Sequence, residues 1–96
     1  MDDRPGLILS CKEKFDKPYY KIAKMTKTDN SHRFAGLFIR KDTKEGISMN
    51  LDFDTFIHLG RIEEIPEFGI RRLKGVCPMP IFDQIKKLCS DSGIDI

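Results

Sequence analysis

The chain lacks most of what announces an enzyme, a metal protein or a secreted scaffold. Its three cysteines, Cys11, Cys77 and Cys89, are odd in number, contain no C-x-x-C pair and have no histidine close by. Neither a disulfide framework nor a zinc site follows, and reduced thiols in an intracellular protein are the simpler expectation, nuclear if the source is eukaryotic. Long apolar runs are missing too. The opening MDDRPGLILSCKEK has three consecutive aliphatics behind two aspartates, too few for a secretory signal or a membrane span. The G-x-x-x-x-G-K-[ST], G-x-G-x-x-G, H-E-x-x-H and G-x-S-x-G patterns do not occur. His32 lies in a polar turn and His58 in a predicted helix, and neither has a neighbour in sequence that would complete a nucleophile, base or metal set. No catalytic residue, metal or cofactor is expected.

What is present is an ordinary folding composition. Hydrophobic residues make up 40% and charged residues 33% of 96 positions, which fits one globular domain and argues against disorder. A chain this short buries a small core, so a homodimer is expected to add stability.

Leu7, Leu9, Cys11 and Phe15 alternate with Ser10, Lys12 and Lys14, the period of a half-buried strand. Asp16-Lys17-Pro18 ends it, and residues 19–27 (YYKIAKMTK) read as a second strand. After the turn residues TDNSH, residues 33–41 form a third. Ala35, Leu37 and Ile39 take one face of it, Phe34, Gly36, Phe38 and Arg40 the other. Gly46 turns the chain and ISMNL supplies a fourth strand, completing an antiparallel meander. Asp52 is placed as the N-cap of a helix reaching Pro66, with Phe53, Phe56, Ile57 and Leu59 marking its apolar side, and Asp54 near its positive end. Gly60 would weaken that helix by roughly 1 kcal/mol relative to alanine. Residues 66–79 read as irregular or one short strand. Pro80 then opens a second helix over about 80–91. The expected class is α+β: a curved four-stranded antiparallel sheet followed by a helix (ββββα) in residues 1–65. Residues 66–96 add a helical extension to the same domain.

Charge is distributed unevenly. Residues 10–44 hold ten basic and four acidic side chains, a net +6, whereas residues 51–96 hold six basic and eight acidic, a net −2. Within the basic half, Lys12, Lys14, Lys21, Lys24, Lys27, Arg33, Arg40 and Lys41 interleave with Tyr19, Tyr20, Phe34 and Phe38. Cations for phosphates and flat rings for bases are what single-stranded nucleic acid requires, whereas a duplex would use only the cations. A solvated strand face, with lysines protecting an edge, accounts for the charges equally well.

The segments KIAKM (21–25), AGLFIRK (35–41) and EGISMN (45–50), with a helix predicted soon after, resemble transcriptional coactivators of the positive cofactor four type. The likeness covers about half the chain and matches Gly46, Ile47, Ser48, Met49 and Asn50 to that family's strand-to-helix junction, and Phe56 and Leu59 to its helix. It implies a homodimer that binds single-stranded DNA without sequence preference and serves transcription or replication. The family's channel would fall on Tyr19, Lys21, Lys24, Lys27, Phe34, Phe38 and Arg40, with Lys24, Phe38 and Arg40 ranked first. Strand parity forbids all of residues 19–27 from facing one side. An RNA-binding module shares the same chemistry. A protein-interaction module, docking transcription or replication proteins through the exposed rings and the C-terminal helix, is the other alternative.

Overall fold

The computed structural model describes residues 5–70, 73 and 75–96, so Arg71, Arg72 and Lys74, counted above in the charge of residues 51–96 and in the 66–79 segment, lie outside the described residues. The described residues form β1 (Gly6–Lys14), β2 (Lys17–Thr26), β3 (Gly36–Ile39), α1 (Lys44–Ser48), β4 (Thr55–Pro66), a 3₁₀ turn (Glu67–Gly69) and α2 (Met79–Asp91). The α+β class holds, with four antiparallel strands in one curled sheet and two helices. The spatial order is β1-β2-β4-β3 rather than that of a meander, so the last strand is inserted between its two predecessors.

In the middle of the chain, two predicted elements exchange places. Residues 47–51, expected as a strand, belong to α1 and its exit. The Thr43 hydroxyl accepts the Gly46 N–H at 3.1 Å as N-cap, and Asn50 leaves the helix at φ 56°. The N–H of Asn50 then reaches the Ile47 carbonyl and that of Leu51 the Gly46 carbonyl, both at 3.0 Å, which is a Schellman ending with asparagine in the usual glycine position. The junction matched at Gly46–Asn50 is thus helical and turns, rather than passing from strand to helix. Gly46 is required because its α-carbon packs on the Arg40 carbonyl and Lys41 backbone, leaving no room for a Cβ.

Residues 53–65, expected as a helix, are instead mostly β4. Asp52 caps no helix, and Asp54 accepts the Lys41 N–H at 3.0 Å, tying the approach of β4 to the exit of β3. From Thr55 to Leu59 every residue is buried, because Ile57 and Leu59 face the helix layer while Phe56 and His58 face the other way. A strand covered on both faces has no polar alternation to display. Gly60 lies where the β2–β4 register slips between Ala23↔Ile62 and Lys24↔His58, so its small side serves an irregular strand segment.

β1 and β2 form the predicted hairpin, with a loop of only Phe15 and Asp16, both at positive φ, and Pro18 inside β2. A register shift between Ile8 and Ser10 moves Cys11 off the face of Leu7 and Leu9, and Phe15 protrudes rather than packing with them. β3 is shorter than the predicted 33–41, since Arg33 and Phe34 both donate backbone N–H groups to the Asn30 carbonyl in a turn.

The core lies between the sheet and α2. Ile81, Ile85 and Cys89, at helical spacing, meet Leu7, Leu9, Ala23, Ile39, Ile57 and Leu59. After Gly93 at φ 70°, Ile94 and Ile96 fold back on the same cluster.

Candidate nucleic-acid interface

Parity divides the predicted site residues between the two faces. Ala23, Met25 and Ile62 pack against the core, so Tyr19 and Lys21 share the helix side of β2. Lys12, opposite Tyr19, joins them, and so does Lys14, which is ion-paired with Glu64 and has its Nζ 6.0 Å from the Tyr19 ring centroid. Lys21 donates to the Asp95 carbonyl at 2.9 Å. The neighbouring Lys12 ammonium lowers the Lys21 pKa first, with lesser help from desolvation.

The other face, turned away from α2, holds Lys24 and Phe38. One row across the sheet is Lys24–His58–Gly36, and two residues along it is Thr26–Phe56–Phe38. The Phe56 ring lies over Gly36, where any Cβ would collide with it, and is itself fully buried. His58 stands between rings, with its centroid 4.8 Å from Phe34 at a 32° tilt and 5.6 Å edge-on to Phe56. Its Nδ1 accepts the Gly60 N–H at 3.1 Å, so the neutral imidazole carries its hydrogen on Nε2. Burial lowers the His58 pKa first, reinforced by Arg61 and Lys24.

Phe34 is the outward ring of this stack, at 42% exposure. Arg33 lies 5.4 Å from its centroid. Lys27, one residue past β2 and of the same parity as Ala23 and Met25, holds its Nζ 3.9 Å over the Phe53 ring as a separate pair. The structure thus gathers Lys24, Arg33, Phe34 and Phe38 in one region and adds His58 and Arg61, which the sequence reading had not included. His58 was missed because its partners come from β2 and from the turn before β3. Tyr20, one of the interleaved rings but not assigned to the channel, lies on the outer face of β2 opposite Cys11, with the same parity as Lys24.

Arg40 follows β3 and, with Leu37 and Ile39, lines a shallow groove whose other wall includes Ile81 and Gln84 of α2. Lys41 is exposed beside it. Neither shares a sheet row with Lys24. Among the described residues no three His, Cys, Asp or Glu side chains converge as metal ligands would, and no helix is long and apolar enough to cross a membrane. Comparison with protein-family models, curated proteins and solved structures finds no significant match.

Proposed function

We propose that the outer face of the sheet binds single-stranded DNA without sequence preference. The observation that carries this reading is the half-exposed Phe34 ring, backed by His58 and bordered by Arg33 and Lys24. A ring supported from behind is held ready for a base, and stacking is indifferent to which base arrives. Lys24, Arg33 and Arg61 supply phosphate contacts, with a fourth cation to come from the loops around them. Four such contacts to a single strand correspond to a log–log salt slope of about −3.

The broader form of the proposal is a homodimeric transcription or replication cofactor. Exposed Ile47 and Val76 support a dimer surface: the α1 end and the approach to α2 are joined by Val76 N–H to the Ser48 carbonyl at 3.0 Å, which brings both apolar side chains to one region. Sedimentation equilibrium tests the dimer. Fluorescence anisotropy with oligothymidine at two salt concentrations tests the binding, with Phe34→Ala expected to weaken it by about 1–3 kcal/mol. Equal affinity for duplex DNA, or a flat salt response, would reject the single-strand reading. Preference for RNA in direct competition would reassign it.

A further inference from the structure

The β1–β2 hairpin tip carries a residue that fold stability does not explain. Phe15 is 94% exposed and sits at φ 52°, followed by Asp16 at φ 61°. This two-residue turn favours Asn-Gly, and a bulky aromatic in the left-handed region is an outlier. Beside it, Phe68 of the 3₁₀ turn is 86% exposed, and a hollow lined by Lys17, Pro18, Pro66 and Glu67 reaches its ring. Two bare rings and an exposed lysine therefore occupy the end of the sheet opposite Phe34.

We propose that Phe15 is a second stacking residue for the same single strand of DNA, marking the far end of the bound segment; this rests on the outer-face reading above. The route between the two ends lies along β2. From the Lys24 row, over which Phe34 stacks on His58, to Lys17 is about seven strand residues, or roughly 23 Å. Tyr20, on the outer face between them, offers an intermediate ring. At ~3.4 Å per stacked nucleotide the span corresponds to about seven nucleotides, and an extended strand needs fewer. Lys24 supplies the cation at one end of this path, whereas Lys17, opposite Lys14 and of the same parity as Tyr19 and Lys21, belongs to the helix side.

Phe15→Asn separates binding from folding, because asparagine suits the left-handed turn that phenylalanine strains. Anisotropy would be measured with oligothymidines of twelve and four nucleotides, alongside thermal melts. The expected result is a Tm equal to wild type or higher by ~4 °C, ~10-fold weaker binding of the twelve-mer, and unchanged binding of the four-mer. Phe34→Ala weakens both, and Phe15→Tyr retains wild-type binding. If Phe15→Asn leaves the twelve-mer unaffected while Phe34→Ala weakens it, the second stacking site is wrong and the outer-face reading stands. Equal proportional loss on both oligonucleotides also overturns the second site. If the wild type binds neither, both proposals fall.

Discussion

At the scale of single residues, His58 is the most constrained group on the outer face. It is 6% exposed, lies between Phe34 and Phe56, and uses Nδ1 as the acceptor for Gly60. Protonation would replace that acceptor with a second donor and set a cation in a poorly hydrated site close to Arg61 and Lys24. A histidine held neutral by folding binds its proton more readily in the unfolded chain. Its contribution to stability is therefore complete above the unfolded value of about 6.5 and is lost as pH falls toward the depressed folded value. Melting temperatures between pH 7.5 and 5 are expected to fall faster for wild type than for His58→Gln, whose side chain takes up no proton. Parallel curves would show that His58 titrates as freely in the fold as outside it.

At the scale of elements, α1 is the segment most dependent on its ends. Five residues cannot sustain a helix by propensity, so Thr43 at one end and Asn50 at the other hold it. Asn50→Gly is expected to be more stable than Asn50→Ala by about 1 kcal/mol, because alanine pays for the left-handed backbone and both lose the same side chain. Chemical denaturation of both variants checks the order, and an alanine variant as stable as the glycine variant would remove the capping role. These two ends are also where the sequence was legible but read differently. Thr43 and Asn50 are cap residues at a suitable spacing, yet Ile47, Met49 and Leu51 alternate as a strand would. β4 was hidden for the opposite reason: with both faces of residues 55–59 covered, its apolar run shows no period of two, and Asp52 ahead of it imitates a helix cap. The β1–β2 hairpin and α2 were readable because each has one wet face. Of the candidate site, Phe38 followed from the parity of β3 and Lys24 only from the resemblance, while the Phe34–His58 stack depends on strand order, which local pattern does not encode.

At the scale of the whole molecule, the sheet has two chemically different faces, and the cations on them are unequally available. On the helix side, Lys14 is engaged by Glu64 and Lys21 by the Asp95 carbonyl, so those ammoniums already have partners. Glu64 responds to this setting: its pKa is lowered chiefly by the Lys14 hydrogen bond. On the outer face Glu63, opposite Ile22 and exposed, lies on the path from Phe34 toward Tyr20, and Glu13, opposite Pro18, follows nearer the hairpin tip. A phosphate chain on that path meets the repulsion of Glu63 at short range. Glu63→Gln should therefore strengthen single-strand binding by about 2–5-fold at low salt, with the gain shrinking as the screening length contracts. Glu64→Gln frees Lys14 on the opposite face and should leave the same affinity unchanged. The two substitutions remove the same charge from adjacent positions, so net charge and long-range attraction are matched and only the face differs. Anisotropy titrations of both variants at 50 and 200 mM salt decide between them. A gain for Glu64→Gln with none for Glu63→Gln would move the binding site to Lys12, Lys14 and Lys21, and equal gains would reduce the interaction to net charge alone.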